Sequence, residues 1–384
     1  MGDPEKVPGE SAWERGVRLE RLNDLPGAAA AYLEAMDTEE EPVDPLAVLR
    51  CAETLEARND PAAEAMFQRI AEEEDPAIRA GAWRGISRYR MDRGEIAPAL
   101  EALQAIIEAD DPDETPRALR NLGTVREDLG DVEGARAAYR DAIERDHPQH
   151  SQGARVNLAQ IHDKEGDHAG AARLFREAIE SGHPAEAPRA RVLLGLMLQE
   201  QGDVPQALEW FESAIVDEDS EWTQRAAFNA GVIYLMQLGE LDRAVDAFRI
   251  AERIDEAAQS LAASFFRGEA ESKRGNEHEA LVAYKRIVEA DGAAAGPVRF
   301  AGAKEAGLIL LRREDYEGAR DLLALAADAE EPAERARSLL LLGACERSLG
   351  NREAAIATFQ QAASTPGAPD DVRGLAVQGM SELR

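Results

Sequence analysis

The chain is poor in cysteine and in aromatic residues. Its 384 residues include 2 cysteines, Cys51 and Cys345, and only 5% Phe, Trp and Tyr. Such sparse use of cysteine does not provide a disulfide framework and is typical of a reducing compartment. We therefore expect a cytoplasmic protein whose two thiols are not paired.

Positive charge and long hydrophobic runs are also scarce. The chain has 75 Asp or Glu against 44 Lys or Arg, a net charge of -31. This charge repels phosphate backbones and anionic lipid headgroups. The longest aliphatic clusters, at 308–311 and 339–342, are too short to span a bilayer. We expect neither nucleic acid nor membrane as a partner, and another protein or peptide instead.

The sequence lacks the common catalytic and cofactor motifs. It contains no Gly-rich phosphate loop, HExxH, CxxC or GxSxG pattern. The acidic clusters starting at 110 and 217 lack the alternating ligands and the Gly of a calcium-binding loop. We expect no enzymatic activity, no cofactor and no metal.

What the chain does contain is a repeat. Residues 129–148, LGDVEGARAAYRDAIERDHP, are followed 36 residues later by EGDHAGAARLFREAIESGHP. The alanine that begins the second helix of each unit recurs ten times, mostly at intervals of 36 residues: Ala28, Ala63, Ala99, Ala135, Ala171, Ala207, Ala244, Ala280, Ala319 and Ala355. A fixed period of this length indicates a helical repeat array.

Two further positions keep the same register. Four residues after each repeat alanine stands a large side chain: Tyr32, Phe67, Leu103, Tyr139, Phe175, Phe211, Phe248, Tyr284, Leu323 and Phe359. Twelve residues before it, in the first helix, stands a small residue such as Gly16, Ser87 or Gly123, and Gly231 comes thirteen before because that helix has one extra residue. The small residue predicts a close approach of two helix backbones, with the ring filling the space beyond.

Turn residues separate the predicted helices. Gly94, Gly130, Gly166, Gly202, Gly239, Gly275 and Gly350 stand between the two helices of a repeat, whereas the ninth repeat has Glu314 there. New first helices are predicted to begin at a capping residue followed by Pro, at 44–45, 75–76 and 115–116.

The pattern resembles the tetratricopeptide repeat: a small residue in helix A, a Gly-Asp turn, Ala and an aromatic in helix B, and Pro near the junction. The resemblance implies a right-handed superhelical solenoid of helix-turn-helix repeats, all-α, with helices A lining a concave groove. The Sel1-like repeat is the alternative fold, but its extra Gly motif in the turn between the helices is absent. The predicted organisation is a polar tail at 1–8, ten repeats at 9–43, 44–75, 76–114, 115–149, 150–185, 186–218, 219–256, 257–296, 297–331 and 332–364, and a capping helix at 369–384. The junction at 291–297 is either a hinge or a longer loop.

Five of the six histidines lie between His147 and His183. The two His-Pro steps, at 147–148 and 183–184, are one repeat apart, so they occupy the same corner of successive repeats. We interpret them as exposed loop residues rather than as metal ligands.

The groove positions of the A helices are the candidate binding residues. The polar set is Arg84, Arg88, Arg117, Arg120, Asn121, Asn157, Arg189 and Asn229, and the apolar set is Val192, Leu196, Phe228, Val232, Phe265 and Phe266. The alternatives are that the arginines pair with acids of the same chain, and that the apolar residues belong to the core.

Some members of the family hold a peptide's C-terminal carboxylate with Lys, Asn and Arg from three successive A helices. Asn121, Asn157 and Asn229 match one clamp asparagine, but the basic pair that should follow is incomplete, since Arg189 and Leu193 follow Asn157. We therefore predict a non-catalytic scaffold or adaptor that binds a partner segment in the groove. A peptide-sensing or sequestering regulator, and a subunit of a larger enzyme or effector complex, are the alternatives.

Overall fold

The computed structural model describes residues 10–38, 43–216, 220–254, 257–290 and 296–383. Every regular element in these ranges is helical and none is a β-strand, so the all-α prediction is confirmed. No helix within them is long and apolar enough to cross a membrane. The predicted polar tail and most of the predicted junction at 291–297 lie outside the described residues.

The chain divides into two compact units, one ending at Ala190 and the other beginning at Arg191. The first unit contains α1 (Ala12–Arg21), α2 (Leu25–Thr38), α3 (Pro45–Glu56), α4 (Ala62–Ile70), α5 (Pro76–Asp92), α6 (Ile96–Ala109), α7 (Glu114–Asp128), α8 (Val132–Glu144), α9 (Ser151–Lys164), α10 (His168–Glu180) and the start of α11 (Glu186–Glu200). The second contains the rest of α11, α12 (Val204–Ala214), α13 (Glu221–Ile233), α14 (Leu241–Ala251), α15 (Ala257–Lys273), α16 (Glu277–Glu289), α17 (Gly296–Arg312), α18 (Tyr316–Ala326), α19 (Pro332–Ser348), α20 (Arg352–Ser364) and α21 (Asp370–Glu382).

Neighbouring helices pack in a regular order within each unit. From α1 to α10 and from α12 to α21, each helix contacts the next one along the chain, as α7 contacts α8 and α8 contacts α9. Odd-numbered helices also contact each other: α3 with α5, α5 with α7 and α7 with α9 in the first unit, and α15 with α17, α17 with α19 and α19 with α21 in the second. The odd helices therefore stand side by side, and side chains at equivalent positions on them become neighbours.

The core of each repeat is built as the register predicts. All ten repeat alanines have an exposed fraction of 0%, and the large side chain four residues later is no more than 3% exposed in any repeat. A Cβ atom placed on Gly123 would lie 2.4 Å from the Tyr139 ring, and one on Gly268 would lie 2.6 Å from the Tyr284 ring. The glycine is needed because the ring occupies the position of any larger side chain.

The turn between the paired helices requires a left-handed backbone. Gly94, Gly130, Gly166 and their counterparts have φ between +69° and +83°. Glu314 adopts the same conformation, with φ of +63°. Because a side chain in this region crowds its own carbonyl oxygen, the ninth repeat keeps a local strain that glycine avoids in seven repeats, while Asn23 and Asn59 take the left-handed position in the first two.

The extra residue before Ala244 is accommodated inside a helix. A π-helical turn, Tyr234–Leu238, follows α13 and ends at Gly239. A π-helical turn absorbs one additional residue without ending the helix. The register of buried side chains in α14 is therefore the same as in the other repeats, with Ala244 and Phe248 both at 0% exposure.

Helix starts agree with the prediction in two places and differ in a third. The carboxylates of Asp44 and Asp75 accept backbone N–H groups at the starts of α3 and α5, as predicted. The predicted cap at Thr115 is wrong, because α7 begins at Glu114 and Thr115 is buried within its first turn. Asp111 caps α7 instead, its Oδ1 accepting from the backbone nitrogens of residues 113 and 114 at 2.9 Å.

The last described helix covers apolar surface of the final pair. In α21, Val372, Ala376 and Gly379 are buried. A Cβ atom on Gly379 would lie 2.8 Å from the ring of Phe359, a core residue of α20. The outward side of α21 carries Leu375, which is 53% exposed.

Replacing Gly123 with alanine should destabilise the protein by about 1–3 kcal/mol, because the added methyl group would overlap the Tyr139 ring. Chemical denaturation followed by far-UV circular dichroism measures the loss. Gly374→Ala is the control, since a Cβ there meets nothing within 4 Å. That change should stabilise α21 by up to about 1 kcal/mol. Equal losses from both substitutions would contradict the packing argument.

Replacing Glu314 with glycine should raise the unfolding free energy by up to about 1 kcal/mol, because it removes the strain of a left-handed side-chain residue. Glu317→Gly lies three residues further on, in the first turn of α18, and should lower stability by about 1 kcal/mol at most. The melting temperatures of the two variants should therefore move in opposite directions. A lower melting temperature for Glu314→Gly would show that the turn is not strained.

Candidate functional site

Two of the predicted groove arginines are paired within the chain. Arg84 on α5 forms ion pairs with Glu53, at 2.9 Å, and with Glu114. Arg88 forms a bidentate ion pair with Glu56, whose side chain is only 3% exposed. The alternative of intramolecular pairing is therefore confirmed for these two residues, which join α3, α5 and α7.

The arginines of α7 are more weakly paired. Arg117 reaches Glu114 only at 4.0 Å. Arg120 donates one long hydrogen bond, 3.4 Å, to Oδ1 of its neighbour Asn121. Among the residues that the structure describes, no carboxylate oxygen lies within 4.0 Å of the Arg120 guanidinium. This half-buried cation therefore lacks the partner that Arg84 and Arg88 possess.

Gly153 on α9 makes room for Arg120. A Cβ atom at Gly153 would lie 3.1 Å from Cδ and from a terminal nitrogen of Arg120, and 2.9 Å from Oε1 of Glu186. Burial lowers the pKa of Arg120, and the nearby cations Arg117 and Arg189 lower it further, whereas Glu186 raises it. The arginine lies across the helix surface at the position where a side chain of α9 would otherwise stand.

The polar groups of α9 and α11 are joined to each other. Arg189 donates to Oδ1 of Asn157 at 2.8 Å and to Oε1 of Gln160 at 3.0 Å, and pairs with Glu186 at 3.2 Å. The amide nitrogen of Asn157 donates to the Tyr139 hydroxyl at 3.4 Å. Both the oxygen and the nitrogen of the Asn157 amide thus form hydrogen bonds within the chain. The predicted set of eight polar residues is therefore not one uniform surface.

In the second unit, the predicted apolar set divides between core and surface. Val192 is 1% exposed, so the prediction that it lines a binding groove is wrong: it packs in the core. Leu196, Phe228, Val232, Phe265 and Phe266 are half-buried. Asn229 lies among them and donates within its own helix to the carbonyl of Arg225.

The half-buried rings rest on core rings. Phe228 meets Phe248 edge-on at 6.1 Å and Phe266 at 5.8 Å, while Phe265 lies 5.8 Å from Tyr284. Because Phe248 and Tyr284 are core residues, each half-buried ring has one side in the core and one side at the surface. Truncating these rings would therefore affect stability as well as any binding.

His147 and His183 have a structural role that the sequence interpretation missed. Nδ1 of His147 accepts hydrogen bonds from the backbone nitrogens of Gln149 and His150, at 3.1 and 3.3 Å, just before α9. Nδ1 of His183 does the same with the nitrogens of Ala185 and Glu186, both at 3.2 Å, at the start of α11. The imidazoles thus do what the carboxylate of Asp111 does for α7, and the His-Pro step is a helix cap.

His150 adds a neutral ring beside the arginines. It stacks on His147 with the ring centroids 4.7 Å apart. Burial lowers its pKa to about 4, and His147, Arg120 and Arg117 act in the same direction. Within the described ranges, no three His, Cys, Asp or Glu side chains are grouped as a metal site would require.

Residues that sequence reasoning overlooked, Gly153 and His150, can be found by aligning the repeats. The pair Glu114–Arg117 in α7 recurs 72 residues later as Glu186–Arg189 in α11. In the repeat between them, His150 and Gly153 occupy the two positions. The loss of an ion pair in one repeat is thus the signal that a space opens beside Arg120.

A family model described as tetratricopeptide repeat matches residues 85–151, 156–221, 231–297 and 304–369, which together make up more than half of the chain. A search of curated proteins finds no match to the sequence.

Several solved structures are similar at low identity. A tetratricopeptide repeat protein from Parabacteroides merdae is 19% identical over 69% of this chain and 98% of its own, with a TM-score of 0.38. YrrB, described as a TPR protein with an unusual peptide-binding site, is 21% identical over 51% of this chain and 97% of its own, with a TM-score of 0.37. The antigen c5321 of uropathogenic Escherichia coli strains, described as displaying an SLR fold, is 16% identical over 97% and 86%, with a TM-score of 0.42.

Replacing His147 with alanine should cost about 1 kcal/mol of stability, because two backbone N–H groups at the start of α9 lose their acceptor. His147→Asn should stay within about 0.5 kcal/mol of the parent, since the asparagine oxygen can cap the same helix. Urea denaturation measures both changes. His278→Ala is the control, because this exposed histidine of α16 caps no helix. A loss from the asparagine variant as large as that from alanine would rule out the cap.

Proposed function

Because the chain belongs to the tetratricopeptide repeat family, we propose that it is a non-catalytic scaffold or adaptor that binds a segment of a partner protein. The proposed binding surface is the arginine face, which we define as Arg117, Arg120 and Asn121 of α7 together with Arg189 of α11. Arg84, Arg88 and Asn157 support this face from neighbouring positions.

The observation that carries the proposal is the state of Arg120. Its guanidinium is half-buried, flanked by two further arginines, and lacks a carboxylate within 4.0 Å among the described residues. Charge-assisted hydrogen bonds from arginine to a carboxylate are among the strongest that a protein surface offers, and their fork geometry gives orientation. An acidic segment of a partner would supply the carboxylate that Arg120 lacks among the described residues.

Bulk properties support a protein partner in the cytoplasm. The net charge of -31 disfavours a polyanion such as nucleic acid, whereas a short acidic segment needs only a local positive surface. Both cysteines are free and buried, which is compatible with a reducing compartment.

In the second unit, Leu196, Phe228, Val232, Phe265 and Phe266 form a half-buried apolar face on α11, α13 and α15. We propose it as a further contact region for the partner, since interface cores are enriched in aromatic side chains. A peptide-sensing regulator or a subunit of a larger complex would use the same two faces. The size of the bound molecule separates these alternatives: a free short peptide indicates a sensor and a protein subunit indicates a scaffold.

The arginine face can be tested by photo-crosslinking in cells that produce the protein. A photoreactive amino acid replaces Asp128, which is exposed near the end of α7, and separately replaces Ala137, which is exposed on α8. We expect position 128 to yield a defined crosslink to an acidic segment, and position 137 to yield none. Arg117→Glu with Arg120→Glu should weaken binding by about 2 kcal/mol, roughly thirtyfold, because both charges become repulsive.

The matched control is Arg140→Glu with Arg176→Glu, which makes the same charge change at exposed positions of α8 and α10. It should leave the crosslink at position 128 intact. Persistence of the crosslink after reversal of Arg117 and Arg120, or its loss in the control, would refute the arginine face as the binding surface.

A further inference from the structure

A cavity of about 330 Å³ lies between α5, α6 and α7. Its polar lining includes Arg117, Arg120 and Asn121, so it borders the arginine face, and the carboxylates of Glu114 and Asp128 also line it. Its interior is apolar and is formed by Met91, Leu103, Ile106, Ala118 and Val125. The volume is at the lower end of the range for small-ligand sites and is suited to a side chain rather than to a large cofactor.

The cavity results from a smaller side chain at one position of the repeat. Leu103 occupies the position that is Phe or Tyr in eight of the ten repeats. In those repeats the ring fills the space behind the small residue of the first helix, as Tyr139 does at Gly123. Leu103 is shorter than such a ring, and both it and the small residue Ser87 line the cavity. The space that a ring occupies elsewhere is therefore part of this cavity, behind the buried side chains of Leu103 and Ser87.

The charges around the opening limit the identity of the occupant. Arg84 and Arg88 also line the cavity, but the carboxylates of Glu53, Glu56 and Glu114 hold them. Arg120 forms no such pair among the described residues. An apolar side chain inserted here would bring its neighbouring residues beside Arg117 and Arg120, where acidic groups are favoured.

Binding at this site does not require the C-terminal carboxylate of a partner. After Asn121, Gly153 and Asn157 stand where the two cations of a clamp for a terminal carboxylate would be needed, and Arg189 already binds Asn157, Gln160 and Glu186. Arg120 is thus the guanidinium with unused capacity, and an acidic side chain within a segment can reach it as well as a terminus can.

From these observations we infer that the cavity between α5, α6 and α7 receives one large apolar side chain from an internal, acidic segment of the partner. This inference rests on the proposed function, since it uses the same arginine face. It specifies the recognised sequence as an apolar residue flanked by Asp or Glu, with no need for a free C-terminus.

A set of synthetic peptides tests this specificity on the full-length protein. The probe is a fluorescent peptide with both ends blocked, containing one Phe flanked by glutamates in a Gly-Ser background. Its variants replace Phe with Ser, or all glutamates with Gln. Fluorescence anisotropy should show binding of the parent peptide, with at least about tenfold weaker binding of the Ser variant, because an apolar side chain stays exposed. The affinity of the Gln variant should fall by a comparable factor.

Two protein variants locate the site. Leu103→Phe restores the ring found in most repeats, so it should fill the cavity and weaken the parent peptide at least about tenfold. Leu323→Phe makes the same change in the ninth repeat and should leave binding unchanged. Methyl-labelled methionine adds a readout that is independent of folding losses: the NMR signal of Met91, in the cavity, should shift on binding, and that of Met66, in the core of the second repeat, should not.

Failure of this inference can be told apart from failure of the proposed function. Equal binding of the Phe and Ser peptides with continued dependence on Arg120 would overturn the cavity and leave the arginine face intact. No binding of any peptide, or binding that does not shift Met91, would also overturn the cavity. A crosslink at position 128 that persists after reversal of Arg117 and Arg120 would contradict the proposed function itself.

Discussion

The contact between a ring and a backbone without a side chain governs the rest of this structure. In seven repeats a glycine of the first helix faces the large side chain of the second, at distances that no Cβ would permit. This contact fixes how close the two helices lie and which way the first helix is turned. Because the same contact returns about every 36 residues, equivalent positions on successive odd helices in one unit face the same way. Rows of equivalent residues, such as Arg117, the buried Gly153 and Arg189, are a consequence of core packing.

Positions at which one repeat differs from its neighbours determine the charge and the cavity at this surface. Glu114–Arg117 and Glu186–Arg189 are contacts between residues three positions apart on one helix, at 4.0 and 3.2 Å. Their replacement by His150 and Gly153 in α9 removes both a charge pair and a side chain. Arg120 extends into that space, and its guanidinium loses solvent without gaining a carboxylate among the described residues. The shorter Leu103 leaves a cavity on the other side of α7. The two departures lie in the third and fifth repeats, on either side of the fourth, so a charged and an apolar feature both border α7.

Much of the fold could be predicted because it depends on local register. The repeat alanines, the rings, the positive-φ turns and the additional residue before Ala244 are all visible as spacings. The candidate site was predicted less well because it depends on side chains from different repeats. Pairing of Arg88 with Glu56 joins residues 32 positions apart. Val192 shows that a shift of one position on a helix exchanges surface for core. The capping histidines were missed because an imidazole acceptor has no distinctive spacing. Thr115 was misassigned because a Pro after Thr suggested a helix start two residues too late.

The arginine face also affects folding. Removing a cation from water costs free energy unless an opposite charge compensates, and Glu186 compensates Arg120 only at a distance beyond an ion pair. The cost is present in the free protein and would be relieved when an anionic group arrives. A ligand that binds only the folded state stabilises it by RT ln(1 + L/Kd), where L is the free ligand concentration. Binding of an acidic segment would therefore strengthen the association of α7, α9 and α11 as well as occupy their surface. The same residues that limit the stability of the free chain would then make that stability depend on the partner.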